Sequence, residues 1–165
     1  MGKPLSAVYL DIETTSLDPR DGDLTVIGLC MEGGESCSFV QLVEDSLHAS
    51  ALIQHVSAHG TIYTYNGERF DLPYIKAKLG VDLTEYCVHR DLMHDCHRKG
   101  LYGGMKQVER MLGIRRELKD VTGIVAVRLW QEYKLWGCRE SFEKLLEYNR
   151  EDVLNLRALR LKLRA

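Results

Sequence analysis

The chain has no C-x-x-C pair, only three prolines, three phenylalanines and two tryptophans in 165 residues, and no long apolar run. Lacking about 20 consecutive apolar residues, it has no candidate membrane-spanning helix and no membrane association is expected. The five cysteines, Cys30, Cys37, Cys87, Cys96 and Cys138, are odd in number and unpaired in spacing. That argues against a zinc ribbon or a disulfide framework and for buried free thiols. One local group, Cys87, His89, His94, Cys96 and His97, holds soft ligands but fits no zinc spacing and straddles a strand-to-helix junction, so ordinary structural roles are expected. No repeat, low-complexity stretch or linker is present. Met1-Gly2-Lys3-Pro4 runs directly into strand-like sequence, leaving no room for a signal peptide and pointing to the cytoplasm.

What is there suits one soluble globular domain, with 45% hydrophobic and 28% charged residues. The net charge of −2 hides an asymmetry. Residues 1–97 carry six Lys and Arg against fifteen Asp and Glu, whereas residues 98–165 carry sixteen against nine. Solvated helix faces account for most of these charges singly. Together they also suit a protein whose acids hold metal while its bases meet a polyanion.

Strands are predicted at Ala7–Ile12 (apolar on both faces except at its acidic end), Leu24–Met31, Cys37–Leu42, Thr61–Tyr65 and Tyr86–Arg90, with a hairpin turn at Gly33-Gly34. Helical spacing predicts helices at Ser46–Ala58, Leu72–Leu79, Leu92–Lys99, Met105–Leu112, Val125–Lys134 and Ser141–Leu163. Hairpins first and helices interleaved later imply an α/β fold on a mixed five-stranded sheet.

Asp11 and Glu13 stand two apart in an otherwise apolar strand, so they share a face, with Ile12 on the other. Two like charges so close call for a cation, and a hard divalent ion is the simplest. Asp71, shortly before Pro73, reads equally as a helix N-cap and as a third acid facing the same site. In the last helix Asp152 falls within roughly 20° of Leu145 on the wheel, at the edge of the stripe Phe142, Leu145, Leu146, Val153, Leu156 and Leu159. A carboxylate there should be paired or metal-bound. Tyr148, at i−4 from Asp152, lies on the same side.

Asp11-Ile12-Glu13-Thr14, Tyr65-Asn66 with Phe70-Asp71-Leu72-Pro73-Tyr74, and Tyr148-x-x-x-Asp152 resemble the three motifs of the DEDD 3′–5′ exonucleases of the ribonuclease-H-like superfamily. The second segment is especially similar to that of family B DNA polymerase proofreading domains, and Gly103 to Ile114 resembles the free-standing YprB-like branch. Tyr148 at four residues before the last acid, with Glu147 rather than a histidine at five, resembles the tyrosine subtype, DEDDy. Ser16 departs from the glycine that proofreading relatives often carry before the Leu17 wedge.

The resemblance implies a ribonuclease-H-like fold over residues 1–165 and a two-metal mechanism using Mg²⁺ or Mn²⁺ about 4 Å apart. By that likeness Asp11 bridges the ions, Glu13 and Asp152 complete one site, Asp71 serves the other, and Tyr148 orients the attacking water. The implied reaction is 3′–5′ exonucleolytic hydrolysis of single-stranded or frayed DNA or RNA to 5′-mononucleotides. Thr14, Leu17, Asn66, Phe70 and Arg150 are candidate substrate contacts, with Tyr65, Lys106 and Arg110 behind them. Two other readings stay open: an endonuclease on hybrid or structured nucleic acid, and a non-catalytic nucleic-acid-binding module. A protein partner delivering substrate is compatible with each, and the oligomeric state is open.

Overall fold

The computed structural model describes residues 6–34 and 36–165, so the Met1-Gly2-Lys3-Pro4 segment lies outside the described residues. The order is β1 (Ala7–Thr14), β2 (Leu24–Gly33), β3 (Ser36–Val43), a 3-10 turn (Glu44–Ser46), α1 (Ala49–Val56), β4 (Thr61–Thr64), α2 (Asp71–Leu79), a second 3-10 turn (Leu83–Glu85), β5 (Val88–Asp91), α3 (Leu92–Arg98), α4 (Met105–Leu112), α5 (Gly123–Trp136) and α6 (Arg139–Leu163). The strands form one mixed sheet in the order β3-β2-β1-β4-β5. β1, β2 and β3 run antiparallel in succession, while β4 and β5 pair in parallel on the other side of β1. This is the expected α/β class.

Central β1 is covered on both faces, which explains its nearly unbroken apolar sequence. Val8, Leu10 and Ile12 pack with Leu52 and Val56 of α1 and with Tyr74 and Ile75 of α2. Ala7 and Tyr9, on the other face, pack with Cys96 of α3, Val108 of α4, and Val153, Leu156 and Leu159 of α6. Asp11 and Glu13 alternate with Ile12, so they belong to the face that α6 covers.

Two expectations shift. The helix expected over Ser46–Ala58 starts only at Ala49, because the Ser46 hydroxyl donates to the Val43 carbonyl (2.7 Å) and closes a 3-10 turn first. α2 ends where expected, at Gly80 in the left-handed region (φ 67°) that a glycine enters without Cβ strain. The cysteine expectation needs correction. Cys30 and Cys37 form a disulfide, their Cα atoms 6.0 Å apart. The β2–β3 register sets Cys30 opposite Phe39 and Cys37 opposite Glu32, so the two are diagonal neighbours, a proximity that counting cysteines misses. Cys87, Cys96 and Cys138 are free, and only Cys96 among them is fully buried.

Candidate active site

Asp11, Glu13 and Asp152 each offer a carboxylate oxygen within 4.8 Å of the others. β1 presents the first two, and α6 crosses the same face to bring the third. That approach depends on Gly28, which pairs with Asp11 on β2. A Cβ at position 28 would lie 2.2 Å from Asn149 Oδ1 and 2.7 Å from Val153 Cγ2, so the helix seats directly on bare backbone. Asn149, fully buried, uses the closeness. Its Nδ2 donates to the Asp11 carbonyl and to Asp11 Oδ2, both at 3.2 Å, while its Oδ1 accepts from Gln41 Nε2 at 2.9 Å.

Burial pushes the Asp11 and Glu13 carboxyls well above the usual range, and the neighbouring acids push them further. Asp152 is raised by burial against the opposing pull of Arg116. Asp71 is pushed up to about 7, mainly by burial, with Asp91 and Asp152 adding to it and the amides of Asp71 and Ile12 opposing. Glu13 Oε1 is buried with no hydrogen-bond partner among the described residues. Crowded carboxylates, one with an orphaned oxygen, fit a hard divalent cation, which supplies both the missing charge and the missing partner.

Asp71 stands at the first position of α2, with Phe70 at the N-cap and no side-chain capping bond, so the capping interpretation is set aside. It is 4% exposed and electrostatically joined to Asp11, Glu13 and Asp152, but its oxygens fall outside their tight group. The turn before it is fixed by Asp91, whose carboxylate accepts from the amides of Asn66 (2.8 Å) and Glu68 (3.2 Å).

Arg116 forms a buried fork with Glu109, Nε to Oε2 at 2.8 Å and Nη2 to Oε1 at 2.7 Å, and the same Nη2 donates to Asp152 Oδ1. Asn155 Nδ2 donates to Glu109 Oε1 at 3.1 Å, so the network is anchored to the next turn of α6. The Lys106 ammonium sits 4.6 Å from the centre of the Tyr148 ring and donates to the Val121 carbonyl. Burial raises the Tyr148 hydroxyl, assisted by the Asp152, Glu13 and Asp11 charges, so it stays protonated near neutrality.

A recess of about 620 Å³ opens beside the carboxylates, walled by Thr14, Leu17, Phe70, Ile124 and Tyr148. Leu17 and Ile124, 85% and 86% exposed, stand at it as bare apolar side chains. A second recess of about 360 Å³ joins Asp11, Tyr148 and Asp152 to Tyr65 and Lys106. Of the expected substrate contacts, Thr14, Leu17 and Phe70 therefore line the site. Asn66 and Arg150 line neither recess. Asn66 serves the turn, at a positive φ of 60°. Arg150, two residues before Asp152, faces roughly 200° away on the helix, and its guanidinium lies over Phe39 of β3 at 5.3 Å. Sequence reasoning missed Asn149, one turn before Asp152 and on the buried side, which the wheel could have shown. It also missed Arg116, whose loop position carries no periodic signal.

The Cys87-to-His97 group disperses, as expected. The Cys87 thiol donates to Leu83 O, His89 pairs with Thr64 at 2.8 Å, Cys96 is in the core, and His97 packs on Tyr102. His94 instead meets Glu68 at 2.6 Å beside Asp91, whose oxygens already accept three backbone amides.

A family model of the RNase H superfamily matches residues 8–164. No curated protein matches the chain. Among solved structures, the family B DNA polymerase of the archaeon Pyrobaculum calidifontis is similar over 99% of this chain and 25% of its own, with a TM-score of 0.70 and 18% identity. The chain thus spans about a quarter of that polymerase. NrnC of Brucella melitensis bound to pGG is similar over 97% of this chain and 72% of its own, with a TM-score of 0.64 and 19% identity. The same protein with bound Mg²⁺ gives 98%, 73%, 0.63 and 18%. These identities speak to the fold. With the match running from β1 to the end of α6, the chain belongs to the ribonuclease H superfamily.

Proposed function

We propose that this protein is a metal-dependent 3′–5′ exonuclease of the DEDDy kind, hydrolysing single-stranded or frayed DNA or RNA to 5′-mononucleotides. The observation that carries this is the meeting of Asp11, Glu13 and Asp152 around the orphaned Glu13 oxygen. Asp11, Glu13 and Asp152, with Asp71 beside them, would hold two divalent ions, Mg²⁺ or Mn²⁺. Bound there, such ions supply an activated water at neutral pH and neutralise the leaving oxygen. The chain's own groups do the rest. Asn149 fixes the Asp11 carboxylate, Arg116 fixes that of Asp152, and the Tyr148 hydroxyl, kept protonated, holds the attacking water by hydrogen bonding. The recess between Leu17, Phe70 and Ile124 has room and apolar walls for a terminal nucleoside, which favours cutting at an end. NrnC's captured pGG and Mg²⁺ are in keeping with this chemistry.

End-labelled oligonucleotides incubated with the protein and Mg²⁺ or Mn²⁺ should yield mononucleotides. Asp11→Ala and Asp152→Ala should each abolish their release, and a blocked 3′ terminus should stop it. Cleavage that persists on a blocked terminus would make the enzyme an endonuclease, and activity that survives both substitutions would refute the assignment.

A further inference from the structure

A third recess, of about 400 Å³, lies between α4 and the loop after it, and its walls are mostly cationic: Lys106, Arg110, Arg115, Arg116 and Lys119, with Glu109 the one acid. Glu109 is consumed by the Arg116 fork, and Arg115 pairs with Glu117 at 2.7 Å. Arg110 and Lys119 have no hydrogen-bond or ion-pair partner for their side chains among the described residues. Arg116 is 7% exposed, and its Nη1 is buried without a hydrogen bond, the nearest carboxylate oxygen, Glu151 Oε2, lying 3.5 Å off. With Arg116 spent on Glu109, Asp152 and Glu151, Arg110 and Lys119 are the cations of this recess left to meet an anion.

The recesses have an order. The apolar one and the small one share Asp11, Tyr148 and Asp152, while the small one and the cationic one share Lys106. The apolar and cationic recesses share no wall. A strand with its terminal nucleoside in the apolar recess therefore passes the carboxylates and reaches the cations on its 5′ side.

We propose that the cationic recess is a phosphate subsite, in which Arg110 and Lys119 seat a backbone phosphate of the bound strand to the 5′ side of the cut. This rests on the exonuclease assignment and extends it to how the strand is held. It gives the basic C-terminal half of the chain a specific task, since the acids at the centre repel a polyanion that the recess attracts. Both side chains are exposed and unpaired among the described residues, so their removal should leave the fold intact.

The test is a scan of short oligonucleotides, each with one neutral methylphosphonate linkage, measured for affinity by anisotropy in Ca²⁺ and for KM in Mg²⁺ or Mn²⁺. In the unmodified protein one linkage should be sensitive, weakening binding about tenfold, the ratio of a lost charge-assisted hydrogen bond. In the double variant Arg110→Ala/Lys119→Ala that linkage should become indifferent, and the slope of log Kd against log salt should fall by about 0.7, the value for one phosphate no longer neutralised. A flat scan in the unmodified protein, or the same sensitive linkage persisting in the variant, overturns the proposal. So does a flat scan with thermal protection by inorganic phosphate alone, which would mean a free-anion site. Failure of the exonuclease assignment is distinct: no mononucleotide would then be released from an unmodified oligonucleotide, or cleavage would persist on a blocked 3′ terminus.

Discussion

Replacing Gly28 by alanine should damage the carboxylate centre without touching a carboxylate. The new methyl group would stand 2.2 Å from Asn149 Oδ1 and 2.7 Å from Val153 Cγ2. Neither neighbour can easily withdraw. Val153 is fully buried, and Asn149 is held by two 3.2 Å bonds to Asp11 and one of 2.9 Å from Gln41. Residue 28 is not among the glycines with positive φ, so the penalty is steric. Overpacking at such a site costs about 1–3 kcal/mol, by moving either α6 off the sheet or Asn149 off Asp11. The first displaces Asp152 and the second frees Asp11, so Mn²⁺ affinity should fall in both cases. Urea unfolding and isothermal titration with Mn²⁺ read the two effects. The double variant Gly28→Ala/Asn149→Ala should recover part of the stability, because the nearer of the two clash partners is gone, while Mn²⁺ affinity stays low. If Gly28→Ala unfolds within about 0.5 kcal/mol of the parent and binds Mn²⁺ equally well, the close-approach argument is wrong.

Stability should also depend on pH in the sense opposite to that of a salt-bridged acid. Asp71 holds its proton up to about 7 in the folded chain against 3.8 for a free aspartate, so the folded state binds more protons between these limits and stability falls as pH rises through them. The metal-free Tm should thus be lower at pH 8 than at pH 5, and saturating Mg²⁺ or Mn²⁺ should raise it most at pH 8; a rise of the metal-free Tm with pH would contradict the burial argument. Glu109→Ala breaks the fork on a buried Arg116 and should cost about 3–5 kcal/mol in urea unfolding, with a loss under about 1 kcal/mol showing that Asp152 alone satisfies the guanidinium. Leu17→Ala removes a largely exposed side chain, so the Tm should hold while KM for an oligonucleotide rises about fivefold; an unchanged KM would remove Leu17 from the terminal recess.

The sheet was legible because central strands must be apolar on both faces and because every helix but the first keeps its period to within two residues of the expected ends. Asp11 and Glu13 were legible through strand alternation, and Asp152 through its place beside a buried stripe. What escaped depends on register or on irregular backbone. Cys30 and Cys37 meet because of the pairing of β2 with β3, Arg116 reaches Asp152 from a loop, and Gly28 matters only because α6 lands on it. Arg150 shows the same limit from the other side: nearness to Asp152 in sequence is not nearness in space when the helix turns it onto Phe39.

The clustered acids come from opposite ends of the chain, at residues 11 and 152, and are joined only when α6 docks on β1. During synthesis, then, the three carboxylates cannot meet until almost the whole domain has emerged, and a truncated or nicked product losing α6 would lack the group altogether. Closing so long a loop also ties the carboxylate group to a highly non-local contact, so metal affinity should report on the folding of the domain. A site built this way is assembled last.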